Sequence, residues 1–251
     1  GAGVCLRGTV NEEIQDPRLR EAALTIPVYG QLPFVPERAS GCDIFTKDGR
    51  RILDLYGGHA VAALGYGHPR LVAAIQEQSS KLLFQSNAVP MAVRAEACRA
   101  LAAFAPEGLN RVFLVNSGAE ANENALKIAC QRTGRDRVIA LEGSFHGRSG
   151  ACGAVTWGAA GRWYGFPRTP FSVSFVSRED PAALAAAMGD DVAAVIIEPI
   201  QGVAGAVDIA HGFLRAAREF CTDHGSLLIL DEVQCGVGRS GYGFAAEAAG
   251  V

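Results

Sequence analysis

The sequence predicts an α/β fold with a mostly parallel sheet and helices on its flanks. Short runs rich in Val, Ile and Leu recur along the second half of the chain, at residues 138–141, 173–176, Val192–Ile197 and Leu227–Leu230. Helical patterns separate the later runs, at residues 181–188 and 213–221. Strands that are apolar throughout are typical of a parallel sheet buried on both faces, and their alternation with helices indicates the α/β class.

A fifth apolar run lies just upstream, at residues 111–115. We predict that it is a strand, and that a helix follows it from Ala119 to about Arg132.

The first part of the chain has a different pattern. Residues 41–54 predict a hairpin with Lys47-Asp48-Gly49 as its turn. Two helices are predicted after it, near residues 70–84 and 91–104. Pro69 and Pro90 are expected in their first turns, where a missing N–H group costs no hydrogen bond.

Composition excludes several classes of partner. The 251 residues carry a formal net charge of −3, without the basic surplus that nucleic-acid binding requires. The longest apolar runs are far shorter than the ~20 residues that cross a bilayer, and the first residues do not resemble a signal peptide. Seven dispersed cysteines, with no CxxC pair and no His at zinc spacing, indicate reduced thiols, no metal site and a cytoplasmic location.

Asp231 follows the Leu227–Leu230 run, at the strand end where open α/β sheets bind ligands. Three interpretations stay open for it. It is a solvent-facing strand end, a magnesium ligand of a nucleotide site, or a carboxylate that faces the pyridine nitrogen of pyridoxal phosphate and keeps it protonated. The magnesium interpretation requires a GxxxxGK[ST] loop, and the sequence contains no Gly-Lys pair.

The residues after Asp231 add two points. Strand alternation sends Glu232 to the opposite face, so that Gln234 reaches the same ligand only if the strand has already ended. The GVGRSG segment, residues 236–241, also matches the GxGxxG pattern of nicotinamide-dinucleotide enzymes. No amphipathic helix is predicted at Gly241, which makes this alternative the weaker one.

Asn116-Ser117-Gly118-Ala119-Glu120 follows the 111–115 run and opens a helix. Free N–H groups and the positive end of the helix dipole make such a loop a natural phosphate site, with Gly118 and Ala119 open to close approach. Ser117 and Glu120 also form an S-x-x-E capping box, which would satisfy the same groups without a ligand. Taken alone, the loop favours the cap.

The segment GSFHGRSG, residues 143–150, follows the 138–141 run. Phe145 is placed to lie flat against a planar ring. Arg148 carries the planar fork that suits a carboxylate, although a single Arg is more often a solvated surface residue. His146 is interpreted as a hydrogen-bonded loop anchor.

Considered together, these motifs resemble those of the class III aminotransferases, over roughly residues 24–251. The motifs that carry the resemblance are NSGAEANENALK (116–127), SFHGR (144–148), EPIQG (198–202), LDEVQCGVGRSG (230–241) and DLYGGHAVAALGYGHP (54–69). Within the family, Arg148 after Phe-His-Gly and the EPIQG segment look most like the acetylornithine aminotransferases.

The resemblance implies a fold-type I large domain over residues 69–251, with residues 1–68 as the N-terminal part of a small domain and a substrate loop. It implies pyridoxal phosphate as cofactor and a homodimer. The implied reaction moves an amino group from N-acetylornithine, or a related ω-amino donor, to 2-oxoglutarate, in arginine or lysine biosynthesis.

The resemblance also implies a role for each site residue. Ser117, Gly118 and Ala119 would hold the phosphate, and Phe145 would stack on the ring. Asp231 would bind the ring nitrogen, and Gln234 would lie near the ring hydroxyl. Arg148 would bind the donor carboxylate, and Glu198 would be a gate residue that pairs with an Arg in the C-terminal part.

Two departures from the family pattern are visible. Val203-Ala204-Gly205 follows EPIQG where the family usually has Glu-Gly-Gly, which leaves the length of the substrate open. The family's catalytic lysine lies beyond the Asp231 strand, whereas Lys47, Lys81 and Lys127 all precede it. The 251-residue chain alone is therefore expected to be inactive, and a truncated or non-catalytic cofactor-binding protein is the alternative to an enzyme.

Overall fold

The computed structural model describes residues 15–251, and the backbone packs as two compact units. The first ends at Phe84 and the second spans Gln85–Val251. The predicted domain boundary at residue 68/69 would assign the helix Pro69–Lys81 to the later domain, whereas backbone packing groups this helix with the first unit.

The first unit contains a small antiparallel sheet. Its elements are α1 (Pro17–Leu24), β1 (Pro36–Ser40), β2 (Asp43–Thr46), β3 (Arg51–Leu53), α2 (Gly57–Ala60) and α3 (Pro69–Lys81). The strands pair in the order β1-β2-β3. The predicted hairpin turn is confirmed: Gly49 has φ +84° and donates its N–H to the carbonyl of Thr46 at 3.0 Å.

The two prolines that were predicted in first helical turns, Pro69 and Pro90, differ in where they lie. Pro69 is in the first turn of α3, as predicted. The second helix, α4 (Ala92–Phe104), begins later than predicted. Its N-cap is Met91, so Pro90 lies one residue before the cap and not in the first turn.

The second unit is an α/β layer structure. After α4 its elements are α5 (Gly118–Thr133), β4 (Arg137–Leu141), α6 (Gly150–Val155), β5 (Ser172–Val176), α7 (Pro181–Ala187), β6 (Val192–Ile197), β7 (Ile200–Gln201), β8 (Val207–Asp208), α8 (His211–His224) and β9 (Leu227–Leu230), with short 3-10 turns at Ala159–Gly161 and Ala245–Ala249. The main sheet has the order β5-β4-β6-β9, and all its neighbouring strands are parallel. The predicted fold class is confirmed.

Alternate residues of the strands pack on opposite faces of this sheet. Ile139 and Leu141 of β4 belong to a core that includes Phe213 and Leu214 of α8. Val138 and Ala140 belong to a second core on the other face, with Leu126 of α5. Burial on both faces explains why the central strands β4 and β6 are almost entirely apolar.

The strand predicted at residues 111–115 is not formed. These residues make no backbone hydrogen bond to another strand of the described chain. Phe113 and Leu114 are exposed by 67% and 43%. An extended segment becomes a strand only when a neighbour pairs with it, and apolar composition alone does not supply that neighbour.

None of the described helices combines the length and the apolar character needed to cross a bilayer.

Candidate active site

The loops that follow β4, β6 and β9 meet beside the start of α5. Because the three strands are parallel neighbours, their carboxyl ends lie at one edge of the sheet. A cavity of about 380 Å³ opens there. It is lined by Ser117, Gly118, Ala119, Asn122, Phe145, His146, Gly147, Arg148, Ser149, Glu198, Asp231, Val233 and Gln234. Every site residue predicted from the sequence therefore lines one cavity.

The start of α5 forms only the Ser117 half of the predicted capping box, because Glu120 accepts from the N–H of Asn116 and not from that of the N-cap residue Ser117. Two further donors stay free for a ligand. Ser117 Oγ accepts from the N–H of Glu120 at 3.1 Å, and Glu120 Oε2 accepts from the N–H of Asn116 at 2.6 Å. The N–H groups of Gly118 and Ala119 make no hydrogen bond to any described residue. The two interpretations of this loop are therefore compatible, because the cap and the ligand use different N–H groups.

Two glycines allow the loops to approach each other closely. A Cβ atom at Gly118 would lie 2.7 Å from Cγ2 of Val233, in the loop after β9. Gly147 has φ +130°, and a Cβ atom there would lie 2.8 Å from Cβ of Ala119. A side chain at either position would push apart the walls of the cavity.

The Asp231 carboxylate is buried and accepts three hydrogen bonds. Its Oδ2 accepts from Asn122 Nδ2 at 2.7 Å and is 2.8 Å from His146 Nδ1. Its Oδ1 accepts from the N–H of Val233 at 3.1 Å. A buried carboxylate surrounded by donors is not a solvent-facing strand end, which removes that interpretation.

Asp231 and Glu232, the two residues that follow β9, point in different directions, as strand alternation predicts. Glu232 turns away and accepts from the N–H groups of Ala245 and Ala246 at 2.6 and 2.9 Å, so it caps a 3-10 turn. Gln234 lines the cavity because β9 ends at Leu230 and the chain then turns.

Glu198 connects the loops after β4 and β6. Its Oε1 accepts from the N–H of Phe145 at 2.8 Å, and its Oε2 accepts from the N–H of Gly202 at 3.2 Å. Burial raises the pKa of this carboxyl, and the two N–H donors oppose that shift in part.

Arg148 is exposed at the rim of the cavity. Its guanidinium carbon lies 5.3 Å from the centroid of the Trp163 ring, within cation–π range.

Residues 26–251 match the family described as Aminotransferase class-III. The chain belongs to the class III aminotransferases. The GxGxxG alternative is wrong, because this family assignment excludes a dinucleotide-binding enzyme and no α-helix begins at Gly241 in the structure.

The chain is similar to aminotransferases from several organisms. Acetylornithine aminotransferase of Methanopyrus kandleri is 43% identical over 219 residues, which cover 87% of this chain and 56% of that protein. LysW-aminoadipate semialdehyde transaminase of Deinococcus radiodurans is 40% identical over 225 residues, which cover 89% of this chain and 52% of that protein. The structure of ornithine aminotransferase from Toxoplasma gondii, which has partial occupancy of PLP at its active site, matches with a TM-score of 0.86 and 29% sequence identity. The match covers 93% of this chain and 56% of that chain. This chain therefore spans about half the length of these relatives.

The family assignment implies pyridoxal phosphate as the cofactor, and the cavity fits it. The two free N–H groups at the start of α5 suit a phosphate, the Phe145 ring offers a flat apolar surface, and the buried Asp231 carboxylate suits a protonated ring nitrogen.

Sequence reasoning assigned no ligand role to five of the thirteen lining residues, and the side chains of two of them, Asn122 and His146, contact the Asp231 carboxylate. No role is predicted for Asn122, and the sequence indicates only a loop-anchor role for His146. A signal for Asn122 exists: Asn122, Leu126 and Ala129 share the buried face of α5, and a polar residue at such a position needs a buried partner. The contact from His146 to Asp231 joins residues 85 positions apart, which no local pattern indicates.

Proposed function

We propose that this cavity binds pyridoxal phosphate and catalyses transamination in the complete protein. Ser117, Gly118 and Ala119 hold the phosphate, Phe145 stacks on the ring, and Gln234 lies near the ring hydroxyl. The observation that carries the proposal is the buried Asp231 carboxylate, which lies in the same cavity as the free N–H groups of α5.

Asp231 has the central electrostatic role in this proposal. When bound, pyridoxal phosphate supplies a ring that accepts electrons from the substrate Cα. A carboxylate beside the ring nitrogen holds a proton on that atom, because the charge pair is shielded from water. Phe145 keeps the ring plane in place, and its own backbone is held by Glu198.

Arg148 binds the α-carboxylate of the amino donor. Its fork forms two parallel hydrogen bonds to a carboxylate, and its place at the rim leaves the buried part of the cavity to the cofactor. We infer that the donor is N-acetylornithine or a related ω-amine and that 2-oxoglutarate is the acceptor. The names of the relatives support this donor class. We propose that the reaction belongs to arginine or lysine biosynthesis.

Glu198 acts as a gate at the cavity. We propose that it pairs with an arginine in the C-terminal part of the complete protein. The complete protein is expected to be a cytoplasmic homodimer.

The proposal is tested by donor specificity in the complete protein. Purified enzyme with pyridoxal phosphate is mixed with 2-oxoglutarate and N-acetylornithine, ornithine or 4-aminobutyrate, and glutamate formation is measured. In Arg148→Lys the KM for the donor should rise about tenfold or more, because one of two charge-assisted hydrogen bonds is lost. Arg168→Lys, at an exposed position outside the cavity lining, is the matched control.

Two outcomes would contradict the proposal. Cofactor binding without glutamate from any donor would favour the non-catalytic alternative. An equal loss of cofactor affinity and donor affinity in Arg148→Lys would mean that Arg148 supports the loop and does not bind the donor.

A further inference from the structure

The Asp231 carboxylate is held by two buried side chains from separate elements. Asn122 comes from the second turn of α5, and His146 comes from the loop after β4. Both contact the same oxygen, Oδ2, at 2.7 and 2.8 Å. Asn122 has no role assigned above, and His146 only that of a loop anchor.

The hydrogen-bond network determines how the Asn122 amide is oriented. Its Nδ2 also donates to the backbone carbonyl of His146 at 3.0 Å. Both partners, a carbonyl and a carboxylate, are acceptors, so the amide nitrogen must face them and its two hydrogens are used. A flipped amide would place three acceptors together in a buried site.

The same reasoning assigns the hydrogen on His146. Nδ1 faces a carboxylate oxygen and therefore carries the hydrogen. Nε2 is buried and has no partner among the described residues, so a hydrogen there would be an unpaired buried donor. His146 is thus a donor to Asp231 in a single tautomer.

The result is an unequal use of the two carboxylate oxygens. Oδ2 accepts two side-chain bonds, whereas Oδ1 accepts one, from the N–H of Val233 at 3.1 Å. Oδ1 therefore keeps a lone pair for one further donor. The two side chains also prevent rotation of the carboxylate, because both would lose their bond if it turned.

We propose that Asn122 and His146 are positioning residues that fix the Asp231 carboxylate in place and aim Oδ1 at the ring nitrogen of the cofactor. The proposal rests on the role proposed for Asp231. It adds that the α5 helix, whose start binds the phosphate, also orients the group that binds the other side of the ring.

The loop that carries His146 has a separate anchor, which provides a control. Thr156 Oγ accepts from the N–H of His146 at 2.9 Å and donates to the carbonyl of Gly147 at 2.9 Å. Thr156→Val loosens this loop and leaves both donors to Asp231 in place. A variant at Thr156 therefore reports the cost of loop support alone.

The test measures the ring nitrogen directly in the complete holoenzyme, loaded with pyridoxal phosphate labelled with ¹⁵N in the ring. His146→Phe keeps a ring and removes the donor, Asn122→Leu removes the amide, and His146→Asn returns a donor to the position of Nδ1. We expect the ¹⁵N resonance to shift toward the unprotonated form in His146→Phe and in Asn122→Leu. It should stay at the wild-type position in His146→Asn and in Thr156→Val.

Kinetics give a second readout. In His146→Phe and Asn122→Leu, kcat should fall about tenfold or more, the effect of roughly one lost charge-assisted hydrogen bond, with little change in the donor KM. Thr156→Val should lower thermal stability and keep kcat within about twofold.

The outcomes separate the two proposals. If Asp231→Asn shifts the resonance while His146→Phe and Asn122→Leu leave it unchanged, the positioning role is wrong and the Asp231 assignment stands. If Asp231→Asn leaves the resonance unchanged, both are wrong. A shift of equal size in Thr156→Val would overturn the positioning role as well, because loop support would then explain the effect.

Discussion

At the scale of single residues, Glu198 combines burial with two hydrogen bonds to backbone N–H groups. Burial raises the pKa of this carboxyl above its ordinary value. A carboxyl with a raised pKa in the folded state holds its proton more tightly there than in the unfolded chain. Its contribution to stability is therefore full at a pH below the unfolded pKa and is lost as the pH rises through the folded pKa.

We predict that Glu198→Gln removes this pH dependence. The difference in unfolding free energy, wild type minus variant, should fall as the pH rises above the ordinary pKa of a glutamate, because the folded state holds the proton longer than the unfolded chain does. Urea unfolding at several pH values measures it. Glu179→Gln, at an exposed position outside the cavity, is the control for loss of a charge. A wild-type advantage that grows with pH would contradict the prediction.

How far the site residues could be predicted depends on whether a local pattern marks them. Asp231 follows an apolar strand and Phe145 lies in a glycine-rich loop, so both were found from the sequence alone. Asn122 and His146 contact Asp231 through tertiary packing over 109 and 85 residues, and only the fold brings them together. Sequence reasoning therefore found the cavity residues that a local motif marks and missed two that only tertiary contacts reveal.

At the scale of elements, strands with two buried faces were the easiest to predict. The run Val192–Ile197 is buried throughout, and its predicted bounds match β6. Residues 111–115 have a similar composition but form no strand, because no neighbour pairs with them in the described chain. Apolar runs predict burial, and strand pairing depends on which segments lie beside them.

The N-cap of α5 gives a prediction that separates its structural role from its ligand role. Ser117 Oγ caps α5, and Asp180 Oδ1 caps α7 by accepting from the N–H of Ala183 at 2.9 Å. Ser117→Ala and Asp180→Ala should each lower the unfolding free energy by about 1 kcal/mol. Only Ser117→Ala should also weaken the binding of pyridoxal phosphate, because Ser117 alone of the two lines the cavity.

Urea unfolding without cofactor and fluorescence titration with pyridoxal phosphate measure the two effects. An equal loss of affinity in both variants would show that the change acts through overall stability. Unchanged affinity in Ser117→Ala would mean that its hydroxyl serves only the cap.

At the scale of the whole molecule, the cavity is a consequence of topology. Helices cover both faces of the β5-β4-β6-β9 sheet, so the edge at the strand ends is where the loops can converge. Parallel connections bring the loops after β4, β6 and β9 to that one edge, although their sequences lie far apart. The α/β class, which the sequence predicted, therefore also predicted that the separate motifs would meet.

The last prediction concerns the 251-residue polypeptide and its lysines, which are Lys47, Lys81 and Lys127. Lys127 is the only one in the unit that contains the cavity, and it is exposed and absent from the lining. It comes ten residues after Ser117 on α5, roughly 15 Å along the helix axis. Lys47 and Lys81 are exposed in the first unit, and Lys81 is paired with Glu77.

We therefore expect the 251-residue polypeptide to bind pyridoxal phosphate reversibly, through the phosphate loop, Phe145 and Asp231, and to form no glutamate. Borohydride converts any carbon–nitrogen double bond between cofactor and lysine into a stable link, and mass measurement of the peptides then locates it. Weak labelling spread over several lysines is the expected result, unchanged in Lys127→Arg. Stoichiometric labelling of Lys127, together with glutamate formation that Lys127→Arg abolishes, would overturn the prediction, because α5 would then have to move far enough to bring that lysine into the cavity.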